Sequence, residues 1–330
     1  MGTPRYQQWM VQSKQVVARF KPLLRWLVLG GTLFFLVSTL RQHWSGVTKL
    51  RVDTSDWAIL AIALGVTLLA HIWSGWVWSW ILRELNQPAQ GTWGVLTYLK
   101  TNIAKYLPGN VWHFYGRVVA AKDAGFAVGA ATLSVLLEPL LMAAAALAIA
   151  LLSLNTDHWL IQGLSLGLVL VGIHPRILNP LLKVASRLKT KSSLSDSPNL
   201  PAASTTAAAP LQLKRYPILP LYGEFVFVVL RGIGFILTVW VLNPVTLAQI
   251  PTILSGFSFA WLLGLVVPGA PGGLGVFEAT AIALLSSHLS PAAILGSVAL
   301  YRLISTLAEA GGAGLAWLDD RLDSFDKANG

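Results

Sequence analysis

The sequence predicts an all-α polytopic membrane protein with about six transmembrane helices and two re-entrant broken-helix hairpins in an inverted repeat. Hydrophobic residues make up 55% of the 330 residues and charged residues 12%, about half the charged share of a soluble domain. Long apolar stretches recur along the chain, and two proline- and glycine-rich clusters interrupt apolar sequence. The lack of cysteine excludes disulfides and thiolate metal sites.

Six apolar stretches are the expected membrane spans. They are residues 26–40, 57–82, 126–152, 159–173, 218–242 and 292–317. No small-x-small cleavage site follows the first stretch, so we expect a retained span rather than a secretory signal. The fourth is short, at about 15 residues against the roughly 20 that cross a bilayer.

The most unusual stretch is 267–278, Val-Pro-Gly-Ala-Pro-Gly-Gly-Leu-Gly-Val-Phe-Glu, between the apolar residues 250–266 and 279–285. Two prolines and four glycines within eight residues cannot continue a helix. Broken backbone at membrane depth is tolerated only where protein or a water-filled cavity satisfies its peptide groups. Because the flanks look too short for two full spans, we expect a re-entrant hairpin lining a site. An ordinary loop between helices is the alternative.

A similar interruption, Leu-Pro-Gly-Asn-Val-Trp-His-Phe-Tyr-Gly-Arg at 107–117, divides the less apolar stretch 93–117. The basic charges indicate that this stretch enters and leaves on one side. Residues 1–25 hold five basic and no acidic residues, and the flexible linker 174–217 holds seven basic residues against one acidic. Because basic residues accumulate in the cytoplasm, we expect both segments there, which requires 93–117 to be re-entrant.

The two halves of the single membrane domain, 1–330, follow one plan. Residues 57–152 form the first repeat and residues 218–317 the second, each predicted as span, broken hairpin, span. The first starts outside and the second inside, so their topologies are inverted. Paired interrupted segments of this kind indicate a transporter-type site near the bilayer midplane.

Charged residues inside the predicted spans are functional candidates, because charge at membrane depth is costly. Glu138, Arg231 and Arg302 lie roughly 15–20 Å into their spans at about 1.5 Å per residue, near the middle of a core about 30 Å thick. Glu224 and Glu309 each lie seven residues from an arginine, on the same helix face. One interpretation is that Glu138 pairs with Arg231 or Arg302 and only holds helices together. The other is a polar pathway for a lipid headgroup, since arginine donates two hydrogen bonds to phosphate.

The hairpins add donors for an anion. A half-helix starting after Asn110 or Gly273 would direct N–H groups and a positive dipole toward the bilayer centre, with His113 and Arg117 on the cytoplasmic side. An interfacial histidine within an aromatic cluster is the alternative for His113, and His71 is expected to be a hydrogen-bonded packing residue. The predicted substrate pathway comprises Pro108, Gly109, Asn110, His113, Arg117, Glu138, Arg231, Pro268, Gly269, Pro271, Gly272, Gly273, Gly275, Glu278, Arg302 and Glu309.

At Tyr-Leu-Pro-Gly-Asn, 106–110, and at Pro268 to Glu278, the chain resembles the transmembrane region of lysylphosphatidylglycerol synthases, a family with free-standing membrane members (the UPF0104 group). The resemblance implies movement of lipid between leaflets. The chain ends shortly after the last predicted span, so we expect no aminoacyltransferase domain and no synthase activity. The first motif departs from the expected glycine-rich form at 110–113, Asn-Val-Trp-His.

The main functional hypothesis is a flippase-like translocase for a phospholipid or lipid-linked group. A secondary transporter for a small anion, proton-coupled through Glu138 or Glu278, and a membrane scaffold that recruits a separate transferase are the alternatives. We expect no enzyme activity, since the sequence has no HExxH motif and no paired aspartates within a predicted span, and no cofactor, metal or nucleic-acid partner. The expected partners are anionic membrane lipids, with a transferase and a second copy of the chain left open. The expected location is a bacterial plasma membrane, with the N-terminus in the cytoplasm.

Overall fold

The computed structural model describes residues 53–54, 56–106, 111–151, 159–180, 213–267 and 273–329. The regular secondary structure of this part of the chain is helical throughout. The predicted span 26–40 and most of the linker 174–217 lie outside the described residues. So do seven of the predicted pathway residues: Pro108, Gly109, Asn110, Pro268, Gly269, Pro271 and Gly272.

The first half contains two long helices with two short helices between them. Helix α1 is Asp56–Glu84, α2 is Gly91–Asn102, α3 is Trp112–Asp123 and α4 is Val128–Ala150. A 3-10 turn, Ile103–Tyr106, extends α2 toward the first break. Helix α5, Trp159–Ile173, follows α4.

The second half repeats this order. Helix α6 is Ile218–Leu242, α7 is Ile250–Val266, α8 is Val276–Leu285 and α9 is Pro291–Asn329. The second break lies between α7 and α8, as the first lies between the turn after α2 and α3. In both halves, therefore, two long outer helices flank two inner helices that are separated by a break. Their inverted orientation across a bilayer stays a prediction.

Five described segments are long and apolar enough to cross a membrane: Asp56–Glu84, Val128–Ala150, Ile218–Leu242, Leu247–Val266 and Pro291–Leu322. The prediction of an all-α polytopic membrane protein is confirmed. The prediction that the flank before the second break is too short for a span is wrong, because the 3-10 turn Leu247–Gln249 extends α7 to 20 residues. By contrast, α5 has only 15 residues, about 22 Å of helix, and remains shorter than a span.

The two halves interlock. Helices α1 and α6 form the most extensive helix pair, α4 packs on α6 and α7, and α9 packs on α1 and α2. Each long outer helix therefore contacts the first two helices of the other half. Helices α1 and α2 approach closely at Gly75, where an added Cβ would lie 2.7 Å from the Cα of Val95. Small residues at such crossings let backbones meet.

An ion pair joins the end of α1 to the described end of the linker. The Arg215 guanidinium donates to both carboxylate oxygens of Glu84, at 2.8 and 2.9 Å. These hydrogen bonds raise the pKa of the Arg215 guanidinium. The Arg215 side chain is 76% exposed, so Arg215 is a suitable surface control for the charged residues inside the helix bundle.

Candidate functional site

One face of α9 contacts residues beside both breaks. Arg302, Thr306 and Glu309 lie on this face because residues three and four apart are neighbours on a helix. The Thr306 and Tyr106 hydroxyls lie 3.2 Å apart, and Lys105 donates to Glu309 at 2.5 Å. Arg302 instead contacts the second hairpin, as described below. Since Arg302 and Glu309 are seven residues apart, the two contact points lie within about 10 Å along α9.

At the second break, Glu278 caps its own helix. Gly273 and Gly275 have φ values of +69° and +81°, a region that side chains with a Cβ rarely adopt. This backbone turns the chain so that the Glu278 carboxylate accepts the Gly275 N–H at 2.7 Å. The α8 N-terminus therefore has a carboxylate of this chain on one of its donors, where we had expected N–H groups directed at a ligand.

Arg302 fastens this turn to α9. Its Nε donates to the other Glu278 oxygen at 2.7 Å, and its Nη2 donates to the Gly273 carbonyl at 3.3 Å. The Glu278 side chain is 4% exposed, whereas that of Arg302 is 30% exposed. The buried carboxylate is thus neutralised by a guanidinium that can still be reached from outside the protein.

Beside the first break, the Glu309 carboxylate contacts two nitrogen-bearing side chains. Its Oε1 lies 2.5 Å from Lys105 Nζ and 3.1 Å from His71 Nε2, while Arg231 Nη1 lies 3.2 Å from that same His71 nitrogen. A ring nitrogen either donates or accepts, so His71 Nε2 can satisfy Glu309 or Arg231, but not both together. Lys105 and His71 are the partners that sequence reasoning missed, although Lys105 is a lone cation directly before a break.

The Glu309 network also contains unpartnered polar atoms. Arg231 Nε and Glu309 Oε2 are buried and have no hydrogen-bond partner among the described residues. The guanidinium of Arg231 lies 4.9 Å from the centre of the Tyr301 ring. Buried polar atoms normally find partners, so these two atoms retain an unused capacity for hydrogen bonds.

A second ionic cluster lies between α3 and α4. Arg117 Nη1 donates to Glu138 Oε2 at 2.5 Å, with both side chains 2% exposed, and the guanidinium stacks 3.8 Å from the centre of the Tyr98 ring. The expectation that Glu138 pairs with Arg231 or Arg302 is wrong. It fails because the Arg231 side chain, although α6 packs on α4, contacts His71 of α1, and the Arg302 side chain contacts Glu278 of α8.

His113 lies in an aromatic environment beside this second cluster. Its side chain is buried and its ring centre lies 3.8 Å from that of Phe114. Its Nδ1 has no hydrogen-bond partner among the residues that the structure describes. This position agrees with the alternative interpretation of an aromatic-cluster histidine.

The described residues contain no group of three or more His, Asp or Glu side chains arranged to hold a metal ion. The chemistry that this site offers is therefore ionic: guanidinium and ammonium donors, each opposed by a buried carboxylate or imidazole. Comparison of the chain with known protein families and with curated proteins finds no match.

Proposed function

We propose that this integral membrane protein translocates the anionic headgroup of a phospholipid or lipid-linked molecule across the bilayer. The observation that supports this most directly is the α9 face on which Arg302 and Glu309 contact both hairpins. Charges within membrane-crossing helices are costly and usually mark a substrate or ion pathway. In this chain, Glu309 lies beside the break in the first half and Arg302 beside the break in the second half.

Two cations on this face can be reached by an anion. Lys105 is 25% exposed and Arg302 is 30% exposed, whereas their carboxylate partners Glu309 and Glu278 are at most 4% exposed. A phosphate group would enter from the exposed side of the cations and share them with the carboxylates. Arg302 suits this role because its planar fork matches two phosphate oxygens.

The contacts of His71 allow the buried end of the network to rearrange. When His71 donates to Glu309, the Arg231 guanidinium loses its acceptor and can turn to an anionic headgroup. When His71 accepts from Arg231, Glu309 keeps only Lys105. The Arg231 guanidinium can thus exchange its imidazole partner for a substrate contact, while Glu309 keeps Lys105 in both arrangements.

Replacing Arg302 tests the proposal. Purified protein is reconstituted into phosphatidylglycerol vesicles that contain a headgroup-labelled fluorescent lipid, and an impermeant reductant bleaches the outer leaflet. Wild-type protein should allow bleaching of the inner-leaflet lipid as well. Losing one charge-assisted hydrogen bond costs about 1.5–3 kcal/mol, so R302A should slow exchange roughly 10- to 100-fold.

Two further variants make the result interpretable. R215A removes an exposed arginine with the same charge change and should exchange lipid at the wild-type rate. R302K keeps the charge and a partner for Glu278 but loses the planar fork, so its rate should lie between those of wild type and R302A. Equal exchange by R302A and wild type, with all variants folded by their melting curves, would refute the lipid pathway.

The same vesicles separate the alternatives. Uptake of a soluble anion such as phosphate or glutamate, without lipid exchange, would indicate a secondary transporter. No movement of either class, together with co-purification of a transferase, would indicate a scaffold.

A further inference from the structure

A buried carboxyl group on α6, that of Glu224, has no role in the pathway described above. Glu224 is completely buried, and neither of its carboxylate oxygens has a hydrogen-bond partner in the part of the chain that the structure describes. It lies where α6 packs on α1, next to Gly223, whose carbonyl accepts the Trp73 indole N–H at 2.8 Å. An ionised carboxylate in such a place would be a buried, unpaired charge, which proteins avoid.

Glu224 lies on a part of α6 that packs on α4, the helix of Glu138. Leu221 of α6 packs against the buried cluster that contains Leu141 of α4, and Met142 of α4 shares a second buried cluster with Phe227 and Val228 of α6. These residues are one helical turn from Glu138 or Glu224, so the α4–α6 contact includes the face that holds Glu224.

Among the described residues, the charged and titratable groups that act on Glu224 are Glu138 from α4, Arg117 from α3 and Tyr98 from α2. Helix α1 contributes the Ser74 hydroxyl, which donates to the Tyr98 hydroxyl at 2.9 Å. Side chains from α1, α2, α3, α4 and α6 therefore form one cluster that contains two carboxyl groups and one guanidinium.

The number of charges in this cluster determines how many protons the Glu138 and Glu224 carboxyl groups hold. With both carboxyl groups ionised, one negative charge would be left without a partner, and Tyr98 can offer only a hydroxyl. With one proton on the pair, the single positive charge of Arg117 balances the remaining carboxylate. Two interacting acidic groups of this kind titrate as a unit.

We propose that Glu138 and Glu224 form a proton-binding site that shares one proton, with Arg117 as its only counter-charge among the described residues. In the described arrangement Arg117 contacts Glu138 and the proton is on Glu224. The guanidinium can serve either carboxylate, so the proton moves to Glu138 when Arg117 turns to Glu224. Resting on the function proposed above, we further infer that release of this proton is coupled to substrate movement, since Arg117 lies on the helix that follows the first break.

Infrared spectroscopy of the purified protein in lipid tests the shared proton directly. At neutral pH the wild type should show the carbonyl stretch of one protonated carboxyl group that E224Q lacks. E138Q should also lack this band, because Glu224 then becomes the counter-ion of Arg117 and ionises. E84Q, which removes a carboxylate outside the cluster, should leave the band unchanged.

Stability measurements give a second, independent readout. Each single variant retains one carboxylate for Arg117, so E138Q and E224Q should each shift the unfolding midpoint only slightly. The double variant leaves Arg117 without a counter-charge and should lose far more stability than the two single losses added together. A band that persists in E138Q, or a loss in E138Q as large as that in the double variant, would overturn the shared proton.

The transport arm distinguishes failure of this inference from failure of the proposed function. With wild-type protein, lipid exchange should change several-fold when a pH gradient is imposed, and E224Q should not respond to the gradient. Exchange that ignores the gradient in the wild type would overturn the coupling alone. Absence of exchange under every condition would overturn the proposed function, and the coupling with it, while the infrared result would still decide the proton site.

Discussion

The backbone contact between Gly264 and Gly273 gives the sharpest test of the second hairpin. A Cβ added at Gly273 would lie 2.8 Å from the Gly264 Cα, and the residue has a φ of +69°. Alanine in this conformation costs about 1–2 kcal/mol, and forcing a methyl group against packed backbone costs about 1–3 kcal/mol more. G273A should therefore lower the free energy of unfolding by roughly 2–5 kcal/mol.

Two matched variants separate the two costs. Gly125 also has a positive φ, +83°, but a Cβ there meets nothing within 4 Å, so G125A should lose only about 1–2 kcal/mol. G264A adds its Cβ 3.3 Å from the Gly273 Cα without a positive φ, and should be milder than G273A. Unfolding by sodium dodecyl sulfate, followed by tryptophan fluorescence in micelles, measures all three.

The hairpin variants also bear on function. Because Arg302 and Glu278 are positioned by the turn at Gly273, G273A should slow lipid exchange in the vesicle assay, whereas G125A should not. A G273A protein as stable as G125A would refute the close contact between the two arms of the hairpin. It would also remove the reason for placing Arg302 at a fixed site.

Two further predictions concern single buried partners. E309Q removes the carboxylate that faces Lys105 and His71, so it should destabilise the protein by about 3–5 kcal/mol, as breaking a buried pair does. R215A, which removes the exposed partner of the Arg215–Glu84 pair, is the surface control, and equal unfolding midpoints for the two variants would contradict the network. S134A removes the acceptor of the Trp78 indole N–H, which is 3.0 Å away and buried, and should cost about 1–3 kcal/mol with a shifted tryptophan emission spectrum; an unchanged midpoint and spectrum would contradict that hydrogen bond.

Much of the helical layout could be predicted from hydropathy alone. The bounds 159–173 and 218–242 agree with those of α5 and α6, because apolar runs flanked by polar or proline residues leave little choice of end. The predicted length of the helix before the second break is wrong, because a short 3-10 turn with a Thr246 cap has no hydropathy signal. Local hydrogen bonding, rather than apolar length, extended that helix.

The candidate site was predicted less completely. Sequence spacing selected the intramembrane charges Glu138, Arg231 and Arg302 as candidates, since any charge in an apolar helix stands out. It could not identify their partners. Spacing along one helix limits which residues share a face, but it contains no information on which other helix lies opposite.

The sequence by itself determined that this is a membrane protein of apolar helices with two breaks and few buried charges, because lipid tolerates only backbone that bonds to itself. Only the tertiary structure decided that α9 contacts residues beside both breaks, that Arg117 pairs with Glu138, and that Glu224 lacks a hydrogen-bond partner among the described residues. These outcomes depend on how α1 and α6 interlock, and such long-range packing brings together residues that are 150 or more positions apart, as in the Arg231–His71 contact.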